Sequence, residues 1–427
     1  MNIRNWDRNL KVRLFGEFMM NVTFWMFFPF LTIYFTEAFG KTTAGLLLIM
    51  SQLLGVFANL MGGHFADRFG RKRMMVLSSF ANGIVFFIFA MVNSTWLESA
   101  LLSYLCFALL GVFGSFYWPA SQAMVADVVD EKHRSEVFAV FYTSINIAVV
   151  FGPILGGIFY VHYRFELLLF AMAMSFVLSF LLYKWTRETA PKRTMDKEER
   201  QTWVGVLTRQ FSDYRVIFTD KTFLLFILAG VLVAQTFMQL DLLIPVYTKD
   251  TLEQATLFSI NGWSFTLMKE QVFGFLLSEN GLLVALFTVV MTKWMSKYKE
   301  KNVFISSALV YAVAIWLFGQ LSTMWGFIFA MALFTFGELM TAGIQQNFIS
   351  KLAPEHMRGQ YFAAASLRFT FGRTIAPLSI PVSLWLGYEG TFLLLALLSV
   401  LSAVLYYVMF QRFEKRQSQP VPSNINL

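Results

Sequence analysis

This 427-residue chain is short of charge, of histidine and, above all, of cysteine. Charged residues make up 14% and apolar residues 57%. That is more apolar surface than a water-soluble domain can hide, so lipid must be the solvent for most of it. The single cysteine, Cys106, excludes an intrachain disulfide and any CxxC metal or redox site. Neither HExxH nor GxSxG occurs, and His64, His133, His162 and His356 all fall at or near loops, so the chain is not expected to be an enzyme. The phosphate-binding pattern GxxxxGKS/T is absent too, which removes direct ATP hydrolysis and leaves an ion gradient as the natural energy source. No cofactor or metal is expected.

What the chain does have is long apolar runs. Leu46–Met61, Met75–Met91, Leu167–Leu182, Phe223–Val233, Val303–Phe318 and Phe392–Phe410 lie in windows of about 20 residues, the length an α-helix needs to cross the hydrocarbon core. Gly and Pro sit inside these runs rather than punctuating short ones, and no alternating ten-residue pattern of the barrel type occurs. The pattern predicts an all-α polytopic membrane protein with twelve transmembrane spans, near 15–37, 43–66, 74–94, 98–122, 137–160, 165–186, 222–247, 273–294, 303–322, 325–349, 359–386 and 390–411. The charge-rich stretch Thr186–Lys221 divides six spans from six. This gives an N-terminal bundle over 1–186, a cytoplasmic linker over 187–221, a C-terminal bundle over 222–411 and a tail over 412–427. Within the linker, Val204–Phe218 mixes apolar and basic positions, as a helix lying on the membrane surface would; a solvated linker fits equally. The outer loop Tyr247–Phe273 carries Trp263, Phe265, Leu267 and Met268, which suggests an interfacial segment.

The spans sort the basic residues. With a cytoplasmic amino terminus, only Lys41, Arg164, Lys249 and Lys269 of the 34 Lys and Arg fall in outer loops, and Arg368 and Arg373 fall inside a span. By the positive-inside rule this places a multi-pass protein in the cell's inner (plasma) membrane with both termini cytoplasmic. Topology and attraction to anionic lipid account for the net charge of +8, so no nucleic-acid partner is expected. The first span is too long for a signal h-region and is expected to be retained.

After span two the run GHFADRFGRKR extends from Gly63 to Arg73. Gly63 lets helices approach and Gly70 permits a tight turn. Asp67, among Arg68, Arg71, Lys72 and Arg73, can make or break pairs as helix ends move. A basic loop that only fixed topology would not need the placed Asp and glycines. The run resembles the GxLaDRxGRkr loop of the major facilitator superfamily, with Phe65 where the family usually has Leu. That resemblance implies a fold of two six-helix bundles around an alternating-access cavity. It also implies a conformational latch against the cytoplasmic ends of spans four and eleven, in which Asp127 partners Arg71. The equivalent second-half loop, Thr292–Lys301, has Ser296 where the Asp would be, which implies a one-sided latch. The halves also read as a repeat: Asp130–Phe138 matches Pro354–Phe362 at Glu, Arg and Phe, and Gly152–Pro153 falls opposite Ala376–Pro377.

Span five holds AVVFGPILGG from Ala148 to Gly157. Gly152, Gly156 and Gly157 allow close helix contact, and Pro153 removes a backbone hydrogen bond, so together they can form a hinge. A purely packing role fits these features as well. The run is similar to the GxxxGPxxGG motif of the superfamily's antiporter branch, with Ala148 in place of the first glycine, and this favours antiport over symport. Drug antiporters of the superfamily commonly carry Arg in an RxxxG context in span four; here Phe107 stands four residues before Gly111. Arg368 or Arg373 is left to supply such a cation.

Ionisable groups at membrane depth are costly, about 2.5–3.5 kcal/mol each on insertion scales, and mark functional candidates. Glu17, Asp241, Glu279, Glu338, Arg368 and Arg373 all fall within spans. A carboxyl out of water prefers its neutral form and releases its proton when water or a cation arrives, which couples proton flow to cargo flow. Glu338 is central and follows Gly337, with Gln345 and Gln346 continuing a polar stripe, and Asp241 stands four residues before Pro245. The arrangement resembles a multidrug:proton antiporter subgroup with a span-seven Asp shortly before Pro and a span-ten Gly-Glu. By that resemblance Asp241 and Glu338 serve proton coupling and recognition of cationic drugs. The structural alternative is a salt bridge of Glu338 with Arg368 or Arg373. Asn21, Trp25, Asn146, Gln239 and Gln345 are further substrate-binding candidates, since polar groups avoid the lipid face and aromatic side chains can line an adaptable cavity.

The resemblance thus implies a secondary transporter that exports lipophilic, cationic compounds in exchange for protons. It is expected to work as a monomer in contact with membrane lipids, with a small-molecule substrate and protons as its partners. Export or symport of a polar metabolite such as a sugar, siderophore or lipid headgroup keeps the same fold. A non-transporting sensor or assembly factor is a third reading, for which loss of Asp241 and Glu338 would be silent.

Overall fold

The computed structural model describes residues 3–160, 162–190, 220–252, 254–260, 263–342, 344–353 and 358–418. Helices dominate. The first, α1 (Arg8–Phe69), starts under an Asp7 cap whose side chain accepts from the Asn9 N–H, and runs for 62 residues with a bend at Gly40. At φ +75° Gly40 adopts a backbone that L side chains rarely hold, and so divides an arm over 8–39 from an arm over 41–69. Then follow α2 (Arg71–Met91), α3 (Ala100–Val128), α4 (Glu131–Phe159) and α5 (Arg164–Trp185). The second half contains α6 (Lys221–Phe237), α7 (Leu243–Thr251), α8 (Lys269–Met295), α9 (Glu300–Gln320), α10 (Met324–Ala342), α11 (Gln345–Leu352), α12 (Arg358–Ile375) and α13 (Ser379–Ser418). Gly387, at φ +67°, bends α13 as Gly40 bends α1.

Among the described residues ten stretches are long and apolar enough to cross a membrane. Two of them, Arg8–Asn59 and Ala364–Arg416, have 52 and 53 residues and contain the bends at Gly40 and Gly387, so each can cross twice. Counted on either side of the bends, the helices give twelve segments. Leu105, Phe180, Val289 and Leu397 point outward, as lipid allows, while Phe27, Phe30, Phe35, Phe223, Phe318 and Phe327 fill the interior.

Among the described residues, three spans are broken rather than continuous. Span seven passes through a 3₁₀ turn at Met238–Asp241, span ten is interrupted between α10 and α11, and span eleven passes through a 3₁₀ turn at Ala376–Leu378 that contains Pro377. Irregular backbone at this depth survives only inside protein. Gln239, fully buried, joins two of the breaks: its Nε2 donates to Gln235 O at 3.0 Å and Ala376 O at 3.3 Å, and its Oε1 accepts from Ser379 Oγ at 2.6 Å. The repeat has diverged here, since Pro153 lies inside a continuous helix.

The outer loop that the sequence marks as an interfacial segment is built as a β-hairpin. Strands β3 (Gln254–Ile260) and β4 (Trp263–Met268) pair antiparallel, following a two-residue pair between β1 (Asn93–Ser94) and β2 (Leu97–Glu98) earlier in the chain. Ala255, Leu257 and Leu267 are buried, while an irregularity between Thr256 and Phe258 breaks the alternation that would have signalled a strand. The suggested surface helix Val204–Phe218, most of the linker, and 354–357 of the repeat's second copy lie outside the described residues.

Within the first half α1 packs on α3, α4 and α5, and α2 on α3 and α5; in the second half α6 packs on α12 and α13, and α9 on α10 and α13. The halves meet chiefly along α4 and α8. Glycine lets this seam close: Gly157 faces Gln271, Gly274 faces Pro153 and Gly281 faces Val149.

Candidate functional site

A cavity of about 1030 Å³ opens between the first half and α12. It is walled by both arms of α1 and by α2, α3 and α12. Asn21 and Trp25 line it, as do Phe24, Phe28, Phe107, Trp118 and Phe369. Among the described residues, Glu17 is the one carboxylate in its wall and Arg373 the one basic group. Asn146, Gln239, Asp241, Glu338 and Gln345 are not part of that wall.

Glu17 is held by a buried network that the sequence did not signal as such. Arg13, one helical turn earlier, is 2% exposed and donates from Nε to Glu17 Oε1 at 2.9 Å. Tyr117 OH and Ser121 Oγ of α3 donate to the same oxygen at 2.7 and 3.0 Å. The other guanidinium nitrogens reach Ser121, Nη1 donating to its carbonyl at 2.7 Å and Nη2 to its hydroxyl, and the guanidinium lies 4.8 Å from the Phe141 ring centroid. Every donor of consequence thus has an acceptor, which is what a buried pair requires.

The second half arranges its charges differently. Glu338 on α10 accepts at Oε2 from Asn280 Nδ2 of α8 at 3.0 Å, and Asn280 also donates to Thr335 at 2.9 Å. Tyr142 of α4 and Tyr311 of α9 are within electrostatic range of this carboxyl, which puts it beside the α4–α8 seam. It pairs with neither arginine. Arg368 is 3% exposed, donates from Nε to Ala365 O, and lies 4.4 Å from the Phe226 ring centroid. Asp241 sits in the break of span seven with Arg373 in electrostatic range, its Oδ1 buried without a hydrogen bond among the described residues and its carbonyl accepting from Thr32 Oγ1 at 2.9 Å. Asn146 is half-buried and donates to its own helix at Tyr142 O; Gln345 is half-buried too, at the start of α11. Glu279 lies apart, lining a second pocket of about 340 Å³ with Phe258, Phe265, Phe275 and Trp325 under the hairpin.

At the face carrying the Gly70–Arg73 loop, called here the basic face, Gly70 takes φ +101° and passes the chain from α1 to α2. Arg71 Nε lies 3.4 Å from Asp127 Oδ2, so the two side chains paired by resemblance are together. Arg68 and Arg73 are exposed, Arg68 beside Phe69; Gly63 and Asp67 fall within the helical end of α1. The start of the linker joins this cluster, which sequence reasoning missed. Glu188 accepts from the N–H groups of Arg71 and Lys72 at 2.8 and 3.4 Å, matching a carboxylate to the positive end of α2, and Thr189 Oγ1 donates to Asp127 Oδ2 at 2.9 Å. In the second-half loop Lys301 pairs with Glu414 at 3.4 Å, and Glu300 with Lys351 of α11. On α4, Gly152 backs onto Trp25 and Gly156 onto the Met26 backbone, so these two glycines seat α4 on α1.

At the opposite face the halves are tied together. Lys41 donates to Asp250 Oδ2 at 2.9 Å and to Tyr388 OH at 2.7 Å, Tyr388 OH donates to Asp250, and Lys249 pairs with Glu37. The cavity therefore runs from mid-depth toward the basic face and is closed at the other.

A model described as Major Facilitator Superfamily matches residues 13–269 and 251–425. The chain belongs to the Major Facilitator Superfamily. Among members of this superfamily and related proteins it is 55% identical over 419 residues to a Na(+), Li(+), K(+)/H(+) antiporter of Planococcus maritimus, covering 97% of this chain and 99% of the other. It is 30% identical to the multidrug resistance protein MdtG of Salmonella arizonae, over only 42% of this chain and 44% of that one. A POT family transporter crystallised with 5-aminolevulinic acid superposes with a TM-score of 0.77 over 98% of both chains at 18% identity, a likeness of fold. The superfamily assignment covers both halves, and the all-α two-bundle architecture agrees with it.

Proposed function

We propose that this major facilitator is a proton-coupled antiporter that expels monovalent cations by alternating access. The observation that carries the reading is the distribution of acids: Glu17 faces the cavity as a fixed, ion-paired carboxylate, while Glu338 stands at the seam between halves, held among the described residues by the neutral amide of Asn280. A carboxylate fixed at the cavity wall suits a cation, and one whose partners are neutral suits a proton. The name of the 55% identical relative supports the same cargo class. On this reading Glu338 carries the exchanged proton, and Asp241, facing Arg373, is a second titrating group.

Asn21 and Trp25 contact cargo directly, and Asn146, Gln239 and Gln345 act by shaping the helices around it. Gly63, Asp67, Arg68, Gly70, Arg71, Arg73 and Asp127 form the latch, and Gly152, Pro153, Gly156 and Gly157 let α4 pivot on α1. The termini and the basic face are cytoplasmic, in the plasma membrane, by the excess of Lys and Arg there. The 1–186 and 222–411 units move as bodies around the cavity, and one copy suffices.

A second reading, export of lipophilic organic cations, is favoured by one observation. The cavity is far larger than an alkali cation needs, and Phe24, Trp25, Phe28, Phe107 and Trp118 give it walls on which a flat cation can lie.

Proteoliposomes with an imposed pH gradient test both. Addition of NaCl, LiCl or KCl is expected to discharge the gradient in the native protein and to fail to do so with Glu338→Gln. A lipophilic cationic dye, run in the same vesicles, separates the two cargo classes. A native protein that moves neither ions nor dye sends the search to polar metabolites.

A further inference from the structure

Two oxygens in the cavity wall lack donors. Ser79 Oγ and Asn82 Oδ1, both on α2, are buried and accept no hydrogen bond among the described residues. The serine is 2% exposed, and its hydroxyl makes no bond to the carbonyl one turn earlier. Ser175, on the neighbouring α5, does make that bond, to Ala171 O at 2.8 Å. An oxygen kept from water and from donors is costly, and a ligand that accepts its lone pair removes the cost.

These oxygens sit at the depth of Asn21. The first arm of α1 and α2 both run away from the basic face, and their Phe27 and Phe86 rings meet at 5.4 Å. Counting back along each helix, Asn82 lies four residues before that contact and Asn21 six; Ser79 and Met20 each lie seven before it. The bond from Ser175 Oγ to Met20 Sδ and that from Ser179 Oγ to Val76 O fix the same register through α5. Asn21 also lines the cavity, so its amide and the two orphan oxygens share one stretch of wall.

The charge is there too. Arg13, Glu17 and Asn21 follow one another at single-turn spacing on one face of α1, the guanidinium nearest the basic face and the carboxylate between it and Asn21. Three donors converge on Glu17 Oε1, and Oε2 takes none among the described residues. The ion pair therefore presents its negative end toward Asn21, Ser79 and Asn82. Neutral oxygens backed by one carboxylate suit a hard cation of single charge. The nitrogen and sulfur ligands that zinc prefers, and the several carboxylates that hold calcium, are not in this wall.

We infer that this wall is an alkali-cation site, with Asn21, Ser79 and Asn82 as oxygen ligands and Glu17 as the counter-charge. It deepens the antiporter reading and rests on it for its role in transport, though not for binding itself. The test uses the purified full chain, melted in NaCl, LiCl, KCl or choline chloride, together with the half-saturating Na⁺ concentration for gradient discharge in proteoliposomes. The native protein should be stabilised by the alkali chlorides over choline. Ser79→Ala and Asn82→Leu should each lose that difference and raise half-saturation by about tenfold, while melting normally in choline. Asn82→Asp, which adds an anionic ligand, should lower half-saturation, a change that misfolding cannot mimic. Exchange by the native chain with unaltered half-saturation in all three variants overturns the site and leaves the antiporter reading standing. No alkali-specific stabilisation of the native chain overturns the site, whatever the vesicles show; stabilisation without exchange, lost in the variants, upholds the site and sinks the antiporter reading.

Discussion

In the first half of the protein the buried cation and the buried acid have found each other: Arg13 and Glu17 share a hydrogen bond of 2.9 Å, and Tyr117 and Ser121 donate to the same carboxylate oxygen. In the second half they have not. Arg368 rests on Phe226, Arg373 has no carboxylate within ion-pair distance among the described residues, and Glu338 leans on an amide. The first-half carboxylate is fixed in an ion pair and hydrogen-bonded in place. An acid with neutral partners can exist in either form without breaking an ion pair, so the second half is the better place for exchangeable protons. Related bundles packed about one cavity can thus divide the work, one fixing charge and the other changing it.

The comparison breaks most readily at Arg13. Replacing it in Arg13→Leu strands a buried carboxylate, and the expected loss of stability is about 3–5 kcal/mol. Thermal unfolding in detergent reads this, and the double change Arg13→Leu with Glu17→Gln should recover most of it, because the uncompensated charge goes with the second substitution. A milder effect is expected in the second half. Arg368→Met removes a cation–π contact worth about 2 kcal/mol when desolvated, but also the cost of burying a guanidinium, so the net loss should stay under about 2 kcal/mol. If Arg368→Met proves as damaging as Arg13→Leu, the two halves do not differ in the way described.

Much of this architecture could be read from the sequence, because hydrophobic length and the sorting of Lys and Arg report directly on the lipid solvent. The family resemblance carried by the GHFADRFGRKR run also implied a contact between Arg71 and Asp127, whose side chains lie 3.4 Å apart. The Arg13–Glu17 pair was written in the sequence as a basic and an acidic residue four apart, but Arg13 also fits a topological signal at the edge of span one, and that reading masked it. Gln239 reads in the sequence as a cargo-contact candidate because a polar group in a span needs a reason; in the structure its amide holds the break at Ala376–Leu378, 137 residues away. Such a partner is set by tertiary packing and leaves no local trace. Glu338 likewise gave no sign that Asn280, on another helix, would hold it instead of an arginine.

The smallest effect is expected where the halves touch at the face opposite the basic loops. Lys41 reaches both Asp250 and Tyr388, and these groups are partly exposed, so each contact is worth about 0.2–1 kcal/mol and is weakened by salt. Lys41→Gln should therefore shift the balance toward separation at this face by up to about fivefold, without unfolding either half. Spin labels at Thr43 and Glu389, which are exposed on the two sides of the contact, can report it through their distance distribution, and the one native cysteine, Cys106, is buried and out of the way. The short-distance population should fall in the variant at low salt, and the difference from native should shrink as salt is raised. A distribution that does not move at low salt would mean that the helix seam, where Gly157, Gly274 and Gly281 allow backbone contact, holds this face shut on its own. The ion pairs would then contribute little to the choice of state, and the difference between the halves would lie wholly in their buried charges.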